Sequence, residues 1–155
     1  MIQNVKKILA PIDFSTHSME ALRGAMELAK DVGAEVYLMH VIAPHHHFIP
    51  LPLATNAEES RELVREAAMI EQAEEELARI KKDDFADSKK VFTFAVVGAP
   101  VQKLVDYAKE QEIDLIVMST HGRTGGDHIL VGSVTEKVVR NAPCSVLVFR
   151  PRTKP

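Results

Sequence analysis

Short apolar runs alternate with segments of helical period along almost the whole chain, and that alternation restricts the fold more than any other feature. Ile8-Leu9-Ala10-Pro11-Ile12 is an apolar run that closes on Asp13, after which Met19, Leu22, Met26 and Ala29 recur at helical spacing. Ser15 stands where an N-cap belongs, and Gly33 stops the helix before the β-rich run Glu35 to Ile42. A strand–helix–strand unit is therefore complete by residue 42. Pro44 to Asn56 carries three prolines and three consecutive histidines and reads as a surface loop.

From Ala57 to about Lys82 the chain is rich in Glu, Ala, Arg and Leu, and Leu63, Ala67, Ile70, Ala73, Leu77 and Ile80 mark one apolar stripe of a long helix. Val91 to Val97 is a third strand, and Pro100 opens a helix that runs to about Gln111. Asp114-Leu115-Ile116-Val117-Met118-Ser119 has the continuous apolar character of a strand buried on both faces. Ser133 to Asn141 reads as the last helix, broken by Ala142-Pro143 before the final strand, Cys144 to Phe149. This order implies an α/β fold: right-handed crossovers, a mostly parallel five-stranded sheet with helices on both faces, and ligands at the carboxyl ends of the strands where strand order reverses. Periodicity alone leaves that order open. One domain over residues 1–150 is expected, with 151–155 as a short proline-containing tail.

Composition removes several function classes. With 155 residues, 46% of them hydrophobic, the chain is long enough for one core, and a formal net charge of -3 argues against a nucleic-acid surface. The longest apolar stretches, Leu115–Met118 and Val146–Phe149, fall far short of the roughly 20 residues of a membrane span. The N-terminus lacks the pattern of a secretory signal, and the single cysteine, Cys144, rules out an intrachain disulfide; a cytoplasmic protein is expected. The Walker loop, the dinucleotide fingerprint G-x-G-x-x-G, the nucleophile elbow G-x-S-x-G and the zinc motif H-E-x-x-H are all missing.

The segment Ser119 to Ser133 carries the most chemical information. Gly122, Gly125, Gly126 and Gly132 are four positions at which backbone N–H groups can approach an anion closely. Ser133 and Glu136 have the S-x-x-E spacing of a capping box, which places a helix N-terminus beside Gly132. A helix N-terminus contributes only about 0.3–1 kcal/mol per favourable contact, so further donors must converge, and His121, Arg123 and Ser133 are the candidates. The same glycines also fit a loop that merely turns. Asp13, at the end of the first strand, suits a ribose hydroxyl or a metal, and on the residues alone more simply a helix cap. His45-His46-His47 is read as a solvated loop in preference to a metal site, Cys144 as a small buried hydrophobe, and His17 and His128 as surface or capping residues.

The chain resembles the universal stress protein family over nearly its whole length. The resemblance rests on Ile8-Leu9-Ala10-Pro11-Ile12-Asp13-Phe14-Ser15, on His40-Val41, on Val97-Gly98-Ala99-Pro100, and above all on Gly122, nine intervening residues and Gly132-Ser133, continued by Val134-Thr135-Glu136. Ser119 occupies the position of the first glycine in that pattern. The resemblance implies an adenine nucleotide alpha hydrolase-like sheet of order 3-2-1-4-5. It further implies Asp13 at the ribose, the Val41 backbone at the adenine, and Gly122, Arg123, Gly132, Ser133 and Val134 at the phosphates, with Pro11, Ser119 and His121 completing the nucleotide site. ATP, or AMP or ADP, would be the ligand and Mg2+ would accompany the phosphates. A homodimer through the last strand, an unidentified protein partner and little or no turnover belong to the same expectation. A slow ATPase or phosphotransferase, and a dimeric interaction module without nucleotide, are the alternatives.

Overall fold

A computed structural model describes residues 4–44, 56–121 and 131–150. The described residues form five strands, β1 (Lys7–Pro11), β2 (Glu35–Ile42), β3 (Val91–Val97), β4 (Leu115–Ser119) and β5 (Ser145–Phe149). Four helices alternate with them: α1 (Thr16–Val32), α2 (Asn56–Phe85), α3 (Pro100–Glu110) and α4 (Ser133–Asn141). All strand pairs are parallel, in the order β3-β2-β1-β4-β5. The chain thus winds outward from β1 in one direction, then crosses back to build the other half from β4.

Strand pleat explains how one sheet carries two cores. Successive side chains point to opposite faces, and Ile8, Ala10, Val36, Leu38, Leu115 and Val117 enter one cluster with residues of α1 and α2. Leu9, Met39, Ile116 and Met118 enter the other with Leu104 and Ala108 of α3 and Val138 of α4. Every residue of β4 is buried, as the continuous apolar run requires, whereas β5 has only exposed and half-buried positions because it lies at the sheet edge.

The ends of α1 follow their local chemistry. The Ser15 hydroxyl accepts from the Ser18 N–H, and Gly33 adopts the left-handed conformation (φ 74) with its N–H donated to the Ala29 carbonyl. A side chain would be strained there, so glycine stops the helix.

The long helix departs from the sequence expectation. Its apolar stripe packs only from Met69 and Ile70 onward, where Ala73, Leu77 and Ile80 are buried, while Leu63 is 67% exposed and Ala67 also faces solvent. The helix is longer than the sheet it covers, so its first turns extend past the surface that could bury them. Truncating Leu77 to Ala should cost about 2–5 kcal/mol in urea unfolding. Leu63→Ala should stay within about 0.5 kcal/mol of wild type; equal losses at the two positions would contradict this division of the helix.

Candidate functional site

β1 and β4 are tied at one end and part at the other. At the amino end the Asp114 carboxylate accepts from the Lys6 and Lys7 N–H groups at 2.8 and 2.9 Å. Pairing then covers only Ile8 with Leu115 and Leu9 with Ile116. Pro11, lacking an N–H, cannot extend the ladder, and beyond it each strand turns to its other neighbour. The Ile12 N–H donates to the Met39 carbonyl, and the Thr120 N–H to the Phe149 carbonyl. A crevice therefore opens at the carboxyl ends of β1 and β4, where the strand order reverses, and such switch points are where open α/β sheets bind ligands.

One wall of the crevice is the turn from β1 into α1. Asp13 Oδ1 accepts from the Ser15 N–H at 3.0 Å, and the Asp13 N–H reaches the Ser18 hydroxyl at 3.4 Å. Ser15, not Asp13, is the helix cap, so the carboxylate instead braces the turn. Phe14 holds a left-handed backbone (φ 64), a conformation that costs a bulky residue about 1–3 kcal/mol. Its ring lies 4.5 Å from that of His40, whose Nδ1 is 2.8 Å from the Ile12 carbonyl. This packing and hydrogen bonding hold the strained turn in place.

The opposite wall is the end of β4 and the start of α4. The Gly132 N–H donates to the Thr120 carbonyl at 2.6 Å, and the Thr135 hydroxyl donates to the buried Ser119 carbonyl at 2.8 Å. The segment that leaves at Thr120 thus returns to the same point at Gly132. A Cβ on Gly132 would stand 3.1 Å from the Thr120 oxygen, tighter than an ordinary contact. The Ser119 hydroxyl accepts from the His121 N–H at 3.2 Å, so the residue that replaces a glycine here turns its side chain to its own loop. His121 is placed further by a 2.8 Å contact between its Nδ1 and the Thr120 hydroxyl.

The expected capping box does not form. Gly132 is the N-cap and provides no side-chain bond, which makes Ser133 the first helical residue and moves Glu136 one position beyond the box. Glu136 pairs instead with Arg140 at 2.9 Å. With a glycine cap, the N–H groups of the first turn, at Ser133 and Val134, receive no side-chain bond from the cap residue, and these two residues are exposed. An uncapped first turn is suited to an anion.

Pro11, Asp13, Ser119, His121, Gly132, Ser133 and Val134 therefore gather around this crevice, and Val41 lies at the carboxyl end of the neighbouring β2. Gly122 and Arg123, like His45, His46, His47 and His128, fall outside the described residues. Sequence reasoning read His17 as a surface or capping residue and passed over Thr120 and Thr135. His17 sits in the first turn of α1 with its ring centre 6.0 Å from that of His121. Far from this crevice chemistry, Cys144 is half-buried; burial, then the Asp114 carboxylate, pushes its thiol pKa up and keeps it protonated.

A model of the universal stress protein family matches residues 4–150. The chain belongs to that family. It is 41% identical over 145 residues to the universal stress protein MJ0531 of Methanocaldococcus jannaschii, covering 94% of this chain and 82% of that protein. It is 33% identical over 153 residues to MJ0577 of the same organism, covering 94% of each. The solved structure of MJ0577 superposes with a TM-score of 0.81 at 32% identity over 97% of this chain and 99% of that one. The universal stress protein UspA of Lactobacillus plantarum does so with 0.76 at 30% identity over 94% and 98%. A universal stress protein solved in complex with cAMP shares the fold at a TM-score of 0.63 and 23% identity.

Proposed function

We propose that this universal stress protein binds ATP with Mg2+ in the crevice between β1 and β4, and that occupancy of the site, more than turnover, is its output in a stress response. The observation that carries this reading is the start of α4: a glycine-capped helix whose first amides open onto the point where β1 and β4 part. Phosphates would take the Ser133 and Val134 amides beside Gly132, Asp13 the ribose, and the Val41 backbone the adenine edge. Gly122 and Arg123 join the phosphate group by the family pattern. The described residues contain no group of three His, Cys, Asp or Glu side chains able to hold a metal, so Mg2+ would ride chiefly on phosphate oxygens.

Turnover needs a general base aimed at an attacking water. Asp13 already accepts a bond from Ser15 through one oxygen, and His121 is engaged with Thr120 through Nδ1. Both groups are braced for structure, which favours a regulatory protein over an ATPase. No helix among the described residues is long and apolar enough to cross a membrane.

The same reading includes a homodimer through β5. Among the described residues that strand pairs with β4 only, and Leu147 on it and Val139 on the neighbouring α4 are 40% and 50% exposed. Beside them Thr120, Val131, Val139, Val148 and the Glu136–Arg140 pair line an open cleft of about 820 Å3. An unpaired apolar edge invites a second strand, and a second copy of the chain offers a matching one.

At ATP concentrations near 100 times Kd, binding should add about 2.7 kcal/mol and raise Tm by roughly 5–10 °C. Gly132→Val should lose the shift while keeping its own cooperative melt, and Asp13→Asn should weaken it. An unchanged wild-type Tm at millimolar MgATP would overturn the nucleotide reading. Light scattering should report a dimer at micromolar concentration and a monomer for Leu147→Lys; a wild-type monomer would refute the edge pairing.

A further inference from the structure

The ladder between β1 and β2 ends at the pair Pro11 and Met39, although the next residue, Ile12, still donates its N–H to the Met39 carbonyl at 2.9 Å. In a regular parallel ladder a residue that donates to one neighbour accepts from the second residue beyond it, so the Ile12 carbonyl would take the Val41 N–H. It takes a side chain instead. His40 Nδ1 lies 2.8 Å from the Ile12 oxygen, and because a carbonyl only accepts, Nδ1 carries the proton. The Phe14 ring packs on the imidazole with centres 4.5 Å apart, on the far side of the turn from β1.

The consequence for Val41 follows from the alternation of polar groups along β2. The Glu35 N–H donates to the Lys6 carbonyl on the β1 side, whereas the Val36 N–H donates to the Lys90 carbonyl and the Ile42 carbonyl accepts from the Gly98 N–H, both on the β3 side. Odd-numbered positions therefore face β1, and Val41 is one of them. At its level β1 has ended, and among the described residues no backbone bond on that side engages the Val41 N–H or carbonyl. Val41 is half-buried. A donor and an acceptor of one residue thus stand side by side beyond the end of β1, complementary to the edge of a 6-aminopurine, which presents the ring acceptor N1 beside an amino donor.

We propose that His40 sets the base selectivity of the crevice: by holding the Ile12 carbonyl it keeps the Val41 amide out of the sheet and open to the 6-aminopurine edge. His40 acts through Val41 and is a positioning residue, and its selectivity role rests on the nucleotide reading above. Without the imidazole the Ile12 carbonyl is left to the Val41 N–H, the ladder closes by one more pair, and the donor is lost to the base. A site rejects an analogue strongly only where its own polar groups would be left unpaired, so that loss erodes discrimination among purines.

Two measurements on wild type, His40→Leu and His40→Asn test this. The leucine removes the donor, whereas asparagine keeps an N–H at the same distance along the side chain. Amide hydrogen exchange without nucleotide should find Val41 at least about tenfold faster than Met39 in wild type and His40→Asn, and close to the Met39 rate in His40→Leu. Titrations with ATP and with ITP, whose ring reverses the donor and acceptor at the same two positions, follow. Wild type and His40→Asn should prefer ATP by at least about tenfold, and His40→Leu should bring that ratio within about threefold. A merely structural histidine would weaken both nucleotides alike. Val41 exchange as slow as that of Met39 in wild type, or an unchanged ATP-to-ITP ratio in a His40→Leu protein that still binds ATP, would overturn the role of His40 and leave the nucleotide site standing. If wild type binds neither nucleotide, the nucleotide reading falls and the selectivity role falls with it.

Discussion

The partial pairing of β1 with β4 is the constraint on which the rest of this molecule depends. Asp114 binds the two strands together at their amino ends, and Pro11 ends the ladder at the other. Had the pairing continued to Ser119, hydrogen bonds would fill the space where the strand order reverses, and the turns at Asp13 and Thr120 would have no crevice to face. The β1–α1 turn and the glycine-capped start of α4 are both positioned by where these strands part.

The polar groups around that opening act as braces. Asp13, Ser15 and Ser18 bond one another across the first turn, and the Ser119 and Thr120 carbonyls receive the Thr135 hydroxyl and the Gly132 N–H. Each bond contributes about 0.5–1.5 kcal/mol net, modest beside the two hydrophobic clusters that cover the sheet. Their effect is positional: they hold a strained Phe14 and an uncapped helix end in place before a ligand arrives, which lowers the ordering cost of binding. Thr120 and Gly132, which flank the glycine-rich segment, are joined by the bond from the Gly132 N–H to the Thr120 carbonyl.

Much of this was legible in the sequence because apolar runs and helical spacing alternate plainly in it. The continuous runs Ile8 to Ile12 and Leu115 to Met118 mark strands, and Ser15, Gly33 and Pro100 punctuate helices with residues whose chemistry suits those positions. Strand order was not in the periodicity; it came from resemblance to the family, since pairing depends on contacts between distant segments. The Leu63–Ala67 part of the apolar stripe misled because helical spacing reports which face is apolar and not how far the sheet beneath extends. The Ser133 box failed by one residue because Gly132, held by Thr120, takes the cap position. His17 was read as a surface or capping residue because only the packing of α1 against the end of β4 brings it near His121.

The central claim, that the β1–β4 crevice is a nucleotide site, is tested most directly by following backbone amide resonances of the labelled protein as MgATP is added. The account predicts shifts concentrated at Asp13, Val41, His121, Gly132, Ser133 and Val134, with the amino ends of the strands near Lys30 and Lys90 unmoved. Saturating shifts centred on those lysines instead, or a spectrum unchanged at millimolar MgATP, would contradict it.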